Sequence, residues 1–304
     1  ILAVGTRFAE TDSSSWIPGF TFNIPPTKLI HADIDPQEIG KVFPTEIGIV
    51  GDAKAVLSHM LGCAKERGAA KDWRNDPVVK KISQGKEAWL NTIREHQVSD
   101  AIPIRPERIL KEAREVLPRD GIIITDVGWN KNGVGQQFPI YEPRTQLPPG
   151  GLATMGFGPA GAVGAKLGAP DKPVLALVGD GAFGSVPSVV ATAVEHGLGI
   201  VWLVMNNYGY GVITGLQKKA YGRTSGTEFR IAASGEYYNP DFAMMARSYG
   251  AEGYRIEDPK ELRPNLEKAL ASGRPTVLDV FMDPNVFVPT TGHWDVNDIF
   301  QGKI

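Results

Sequence analysis

Residues 174–183 read VLALVGDGAF, an apolar run that stops abruptly at Gly-Asp-Gly. A second apolar run, IVWLVMNN at residues 200–207, stops at Asn-Asn, and helical spacing from Val186 to Glu195 lies between the two. Each run has the length and composition of a buried strand. Apolar strands that alternate with helices are typical of a parallel, doubly wound α/β sheet, in which ligands bind beyond the carboxyl ends of the strands. The two polar strand ends are therefore the first candidates for a functional site.

The same alternation continues on both sides of this unit. The sequence predicts further strands at Ile1–Val4, Lys28–Asp35, Gly121–Asp126 and Thr276–Phe281. It predicts further helices at Ala53–Leu61, Glu107–Leu117, Pro159–Leu167, Pro240–Tyr249 and Pro259–Ala271.

Domain boundaries follow from this pattern. Residues 1–62 are predicted to form part of a Rossmann-like α/β domain that is too short to close a full sheet. Residues 63–104 form a charged linker with a helix, 105–285 the main α/β domain and 286–304 a polar tail. Because the chain opens inside an apolar strand, we expect further sequence upstream.

The composition narrows the classes of function. The chain has 304 residues, 42% hydrophobic and 22% charged, with a formal net charge of −2. This balance argues against binding to nucleic acid or to an anionic membrane surface. The single cysteine, Cys63, excludes an internal disulfide. No apolar run reaches the roughly 18 residues of a transmembrane helix and no signal peptide is recognisable, so a cytoplasmic location is the default expectation.

Asp180 makes the chemistry of the strand ends specific. Glycines between a strand and a helix let backbone N–H groups approach a phosphate, whose charge the helix N-terminus favours. A carboxylate would repel that phosphate unless a divalent cation lay between them, and Mg²⁺ readily bridges carboxylate and phosphate oxygens. Asn207 can supply a second, uncharged oxygen ligand from the neighbouring strand end. The pair therefore predicts a metal-bridged diphosphate site.

Two other interpretations of these residues stay open. An isolated Gly-Asp-Gly is usually a turn with an N-capping aspartate, and Asn-Asn is usually a turn as well. Residues 179–184 also match the Gly-x-Gly-x-x-Gly spacing of dinucleotide-binding modules. An aspartate between the glycines, with Asn-Asn one strand later, fits a metal-bridged diphosphate better than a dinucleotide.

Five segments together resemble thiamine diphosphate (ThDP) enzymes of the acetohydroxyacid (acetolactate) synthase-like family. Gly-Asp-Gly followed one helix and strand later by Asn-Asn looks like the ThDP signature. The other similar segments are Gly150–Gly158, Asn239–Phe242, Gly5–Phe8 and His31–Pro36. The resemblance covers nearly the whole chain. It implies the end of the family's middle, FAD- or nucleotide-binding-like domain, followed by its C-terminal diphosphate-binding domain.

The resemblance implies roles for individual residues. Mg²⁺ would be bound by the side chains of Asp180 and Asn207 and by the carbonyl of Gly209. Met155 would lie under the cofactor and enforce its bent conformation, and the Ala153 carbonyl would accept a hydrogen bond from the pyrimidine amino group. The other predicted cofactor-binding residues are Gly128, Trp129, Asn130, Gly179, Gly181, Ala182, Tyr208, Gly211 and Val212.

The implied activity is cleavage or ligation of C–C bonds next to a carbonyl, as in 2-oxo acid decarboxylation and carboligation. ThDP would supply the carbanion that attacks the carbonyl and the electron sink that follows. Leu216 stands where the family usually has a tryptophan that selects the second 2-oxo acid, and Trp129-Asn130 replace a common Gln-His pair. A ThDP-dependent lyase or C–C hydrolase acting on a diketone or 2-hydroxyacyl compound is therefore an alternative. A non-catalytic subunit that retains the fold is another.

The resemblance also implies partners. The family's activating glutamate lies on an N-terminal pyrimidine-binding domain that this chain lacks, so we expect it from missing sequence or from a separate chain. The site would lie between two subunits of a homodimer or homotetramer. FAD binding through Gly5, Arg7 and Asp33 stays open. The polar tail that contains His293 is expected to lie on the surface. The alternative is that it forms a lid over the site.

Overall fold

The computed structural model describes residues 1–9, 16, 19, 21–69 and 72–286. The described residues divide into two compact units, one up to Gln84 and one from Gly85 onward. The predicted tail lies outside the described residues, apart from Val286. In the described part of the chain, no helix is both long and apolar enough to cross a membrane.

The first unit contains a small parallel sheet. Its strands are β1 (Leu2–Val4), β2 (Ile30–Asp33) and β3 (Ile47–Val50), in the order β1-β2-β3. Helix α1 (Ala53–Glu66) follows, and its N-cap Asp52 accepts a hydrogen bond from the backbone N–H of Ala55 at 2.9 Å. Helix α2 (Pro77–Gln97) includes residues of both units. The parallel strands are those of an α/β unit.

The second unit is a six-stranded parallel sheet with the order β5-β4-β6-β7-β9-β8. Its strands are β4 (Ile122–Thr125), β5 (Gln146–Leu147), β6 (Val174–Gly179), β7 (Ile200–Asn206), β8 (Glu252–Ile256) and β9 (Thr276–Phe281). Its remaining helices are α3 (Pro106–Val116), α4 (Trp129–Gln137), α5 (Phe157–Gly168), α6 (Asp180–Ser185), α7 (Val189–Glu195), α8 (Gly211–Tyr221), α9 (Phe242–Ser248) and α10 (Pro259–Ser272).

Both faces of this sheet are covered, because successive residues of each strand point to opposite sides. On β6, Leu175 and Leu177 pack into a core with α3, α4 and α10, whereas Ala176 and Val178 pack into a second core with α5, α7 and α9. The predicted doubly wound α/β fold is confirmed. Burial on both faces also explains why these strands are apolar throughout rather than alternating.

Several elements were not predicted from the sequence. Helix α4 has the sequence WNKNGVGQQ, which is poor in helix formers, yet burial of Trp129 and Val134 stabilises it. Helix α8 begins with a glycine and three β-branched residues, strands β3 and β5 are short, and β8 (EGYRI) contains a glycine and two charged residues. The helix predicted from Val186 begins at Val189 instead. A separate short helix, α6, begins at Asp180, so this aspartate is helical rather than part of a turn.

The sheet order places a crevice between β4 and β6. The chain leaves β4 toward β5 on one side and leaves β6 toward β7 on the other. Adjacent strands whose connections run in opposite directions leave a cleft at their carboxyl ends, which is where open α/β sheets bind ligands. Val127 and Gly128 follow β4 at this cleft, and Asp180 follows β6.

Candidate active site

A cavity of about 330 Å³ lies at the carboxyl ends of β4, β6 and β7. All but one of the fourteen residues predicted for the site line it. They are Gly128, Trp129, Asn130, Ala153, Met155, Gly179, Asp180, Gly181, Ala182, Asn207, Gly209, Gly211 and Val212. Its lining also includes Val127, Met205, Tyr210, Ile213 and Met282, which sequence reasoning had not assigned.

Tyr208 is the predicted cofactor-binding residue that does not line the cavity. Its ring packs against Phe281 and Tyr237, with centroids 5.5 and 5.7 Å apart, and its hydroxyl accepts a hydrogen bond from Arg255 at 3.0 Å. The backbone of Tyr208 is left-handed, with φ of 56°. Its side chain therefore supports the turn that carries Asn207 and Gly209 instead of facing the cavity.

Three polar groups converge where the metal was predicted. One heteroatom of the Asn207 side-chain amide lies 3.3 Å from Oδ1 of Asp180 and 2.9 Å from the carbonyl oxygen of Gly209. With nitrogen at that position, the amide donates to both oxygens. With oxygen there, three oxygens face one another, and a cation relieves their repulsion. Octahedral Mg²⁺ with bonds of about 2.1 Å holds neighbouring ligand oxygens about 3 Å apart, so the spacing fits this ion.

Asp180 is 2% exposed, and its carboxylate is held by three hydrogen bonds. Oδ1 accepts the backbone N–H of Gly181 at 2.9 Å, and Oδ2 accepts the backbone N–H of Gly209 at 3.0 Å and Nδ2 of Asn239 at 2.6 Å. Burial raises the pKa of Asp180 to about 6, although the hydrogen bonds from Asn239, Gly181 and Gly209 oppose this shift. Burying a carboxylate without a cation costs free energy, and a bound metal ion would offset that cost.

Asn239 was not predicted as a site residue. Its Nδ2 also donates to Oδ1 of Asn206 at 2.7 Å, and Nδ2 of Asn206 donates to Oδ1 of Asp279 at 2.8 Å. This hydrogen-bonded chain of Asn239, Asn206 and Asp279 orients the Asp180 carboxylate. The only sequence signal for Asn239 was the resemblance of its segment to the family, because its contact with Asp180 spans 59 residues.

The predicted diphosphate donors are only partly free in this conformation. The Gly181 N–H points at Asp180, so a diphosphate would have to share it. A Cβ at Gly181 would lie 2.9 Å from Cδ1 of Tyr210, which explains the glycine. Nδ2 of Asn130 donates to the carbonyl of Val127 at 3.2 Å, which leaves its buried Oδ1 without a partner among the described atoms. The second N–H of this amide is not engaged by that bond and remains available to a phosphate.

The segment before α5 presents the two residues predicted to contact the pyrimidine. Ala153 has a φ of 48°, an unusual backbone conformation for alanine, and Met155 is 47% exposed at the cavity. Strained backbone of this kind often occurs at functional sites. Leu216, which stands where the resembled family usually has a substrate-selecting tryptophan, is outside the cavity lining, whereas Ile213, one turn earlier on α8, is part of it.

Comparisons with known proteins agree with this geometry. Residues 126–280 match the family model described as "Thiamine pyrophosphate enzyme, C-terminal TPP binding domain", and residues 1–60 match the model of the central domain of the same enzymes. Thiamine pyrophosphate is another name for ThDP. The predicted family resemblance is thereby confirmed.

Curated relatives are similar over most of the chain. The chain is 34% identical to a probable acetolactate synthase large subunit of Methanocaldococcus jannaschii, over 95% of this chain and 47% of the relative. It is also 34% identical to the acetolactate synthase large subunit of Lactococcus lactis, over 86% of this chain and 42% of that protein. The subunit from Corynebacterium glutamicum is 34% identical over 92% of this chain and 43% of its own length. The chain thus spans about half the length of the curated relatives it matches.

Proposed function

The chain belongs to the thiamine pyrophosphate enzymes, and from this membership we propose that it forms the Mg²⁺- and diphosphate-binding part of an enzyme that makes or breaks C–C bonds next to a carbonyl. The proposed reaction is acetolactate synthase-like carboligation of 2-oxo acids. The cofactors are ThDP and Mg²⁺.

The convergence of Asp180, Asn207 and Gly209 carries this proposal. Their spacing matches neighbouring ligands of an octahedral Mg²⁺ ion, and a buried carboxylate is otherwise hard to account for. A non-catalytic subunit would have no physical need for such a set in the lining of the cavity. A dinucleotide module would have no need for the two further oxygen ligands.

Each residue would then have a defined task. Asp180, Asn207 and the Gly209 carbonyl bind the ion, and the backbone of Gly181 and Ala182 contacts the diphosphate. Met155 and Ala153 form the wall against which the rest of the cofactor bends. Bound ThDP supplies a nucleophilic carbon and an electron sink for the substrate carbonyl.

The choice of substrate rests on similarity to acetolactate synthases, and one observation favours the alternative. Leu216 replaces the tryptophan that the resemblance leads us to expect, and it lies outside the cavity lining. A ThDP-dependent lyase or C–C hydrolase acting on a diketone or 2-hydroxyacyl compound is therefore the second candidate. Turnover of 2-oxo acids compared with diketones decides between the two.

We further propose that another chain or missing sequence completes the site. The cavity lining exposes apolar side chains, with Ile213 at 48% and Met155 at 47%, and Leu152 beside Ala153 is 93% exposed. A pyrimidine-binding domain that covers these side chains would bring the activating glutamate and would fit a homodimer or homotetramer. A cytoplasmic location goes with this proposal. The absorbance spectrum of the purified full-length protein would show whether the first unit binds FAD.

Calorimetric titration of ThDP into the full-length protein, with and without Mg²⁺, tests the proposal. We expect metal-dependent binding that Asp180→Ala abolishes and that Asp120→Ala, an exposed change in the turn before β4, leaves intact. Absence of ThDP binding would refute the enzyme function and favour a non-catalytic subunit. Tighter binding of NAD than of ThDP would favour the dinucleotide module instead.

A further inference from the structure

The segment from Pro148 to Met155 contains no buried side chain, although it carries both residues proposed to contact the pyrimidine. Leu152 at its centre is almost fully exposed, and Ala153 is in the left-handed region. Neither burial nor regular structure holds this segment in place. It is held at its two ends, where it follows β5 and where it joins α5.

The side chain of Asp126 is hydrogen-bonded to the junction between this segment and α5. Asp126 follows β4, is completely buried and accepts the backbone N–H of Val127 through Oδ1 at 2.7 Å. Its Oδ2 accepts the backbone N–H groups of Gly156 at 3.0 Å and of Gly158 at 2.7 Å. The carboxylate thus holds the first turn of a helix that lies 30 residues later in the sequence.

The first turn of α5 has no capping side chain of its own. Its N-cap residue is Gly156, whose φ of 90° suits glycine, and the free N–H groups at the start of a helix need an acceptor. A carboxylate at this end also interacts favourably with the helix dipole. Gly158 packs so closely that an added Cβ would lie 3.0 Å from the Asp126 backbone nitrogen. Asp126, which follows β4, therefore caps the N-terminus of α5.

The burial of Asp126 has to be explained, because moving a carboxylate out of water costs free energy. Burial raises its pKa, and the hydrogen bonds from Val127, Gly158 and Gly156 oppose that shift. Among the described residues, no cation forms an ion pair with it within 4.0 Å. It does not line the cavity, although Val127 and Gly128 beside it do. A direct contact with the cofactor does not account for this carboxylate.

We propose that Asp126 is a positioning residue that fixes the segment carrying Ala153 and Met155 against the pyrimidine half of the cofactor, independently of the metal site. This inference rests on the proposed function. Without the carboxylate, the segment samples other conformations, and ThDP affinity falls by the fraction of molecules in which it is correctly placed. Binding of the diphosphate half alone does not need this segment.

The test compares two ligands on the full-length protein, ThDP and inorganic pyrophosphate, each titrated calorimetrically with Mg²⁺ present. For Asp126→Ala, we expect ThDP binding to weaken by about tenfold or more, with pyrophosphate binding unchanged. Hydrogen exchange at the Gly156 and Gly158 amides should accelerate in the same variant. The matched control is Thr125→Val, a change at a fully buried neighbour whose hydroxyl has no partner among the described atoms.

Asp126→Asn carries the same test if the alanine variant does not fold. Asparagine keeps one acceptor for three N–H groups, so ThDP affinity should fall to an intermediate value while pyrophosphate affinity stays at the level of the unmodified protein. Equal weakening of both ligands, or unchanged ThDP binding, would overturn the proposal. Failure of the unmodified protein to bind either ligand would instead refute the proposed function.

Discussion

Gly211→Ala tests whether Asn207 binds the metal. Gly211 is the first residue of α8, and an added Cβ would lie less than 3.0 Å from Nδ2 of Asn207, whereas ordinary contacts begin at 3.4 Å. The backbone of Gly211 does not have a positive φ, so the conflict concerns this amide alone. To make room, the amide must turn away from Asp180 and the Gly209 carbonyl. One of the three proposed protein ligands to Mg²⁺ is then lost.

The expected loss is about ten- to a hundredfold in Mg²⁺-dependent ThDP affinity, or roughly 1.4–2.7 kcal/mol. Calorimetry on the full-length protein measures it, with Gly164→Ala as control. Gly164 is a helical glycine with nothing within 4 Å of an added Cβ, so alanine there should leave binding unchanged.

Non-additivity makes this prediction sharper. If Gly211→Ala acts through Asn207, it should cost nothing further in a protein that already carries Asn207→Ala. Additive losses in the double variant would show that the methyl group disturbs the site by another route. Gly211→Ala binding ThDP within twofold of the unmodified protein would refute the assignment of Asn207 as a ligand in this arrangement.

Four further predictions concern the same cavity. Protons should compete with a metal ion for Asp180, whose pKa is about 6. The affinity for Mn²⁺ in the absence of ThDP should therefore fall about tenfold from pH 7 to pH 5. An affinity independent of pH, measured by electron paramagnetic resonance of Mn²⁺, would contradict this prediction. Asn239→Ala should move the pH profile of this affinity to higher pH, since it removes a hydrogen bond that lowers the same pKa. Gly181→Ala should cost about 1–3 kcal/mol in denaturant unfolding, because its Cβ would press on Tyr210; unchanged stability would mean that the ring yields freely. Ala153→Val should weaken ThDP binding and Ala153→Gly should not, because β-branched residues disfavour a φ of 48°; equal affinities would count against a fixed backbone there.

The sequence predicted the central elements of the fold because their signals are local. The apolar strands β6 and β7 and the helix α10 have lengths and end signals that require no knowledge of the rest of the molecule. Helix α4 could not be predicted in this way, since its two glycines and its asparagines favour other structures. It forms because burial of Trp129 outweighs its weak propensity.

In the candidate site, too, residues with local sequence signals were predicted and residues that depend on long-range contacts were not. Asp180 and Asn207 were recognisable because each directly follows a strand, and parallel strand ends meet at one edge of the sheet. The contacts of Asp126 with the first turn of α5, and of Asn239 with Asp180, join distant segments and have no periodic signal. The outward orientation of Tyr208 depends on the left-handed turn at that residue, which the sequence did not indicate.

The converging oxygens at Asp180, Asn207 and Gly209 also bear on how long the protein survives in a cell. With neither cation nor cofactor, the folded chain retains a buried carboxylate whose hydrogen bonds only partly offset the cost of burial. Ligands that bind only the folded form stabilise it by mass action, and degradation follows the population of unfolded chains. If ThDP binds as proposed, the abundance of this protein should therefore rise and fall with the supply of thiamine, without any change in its synthesis.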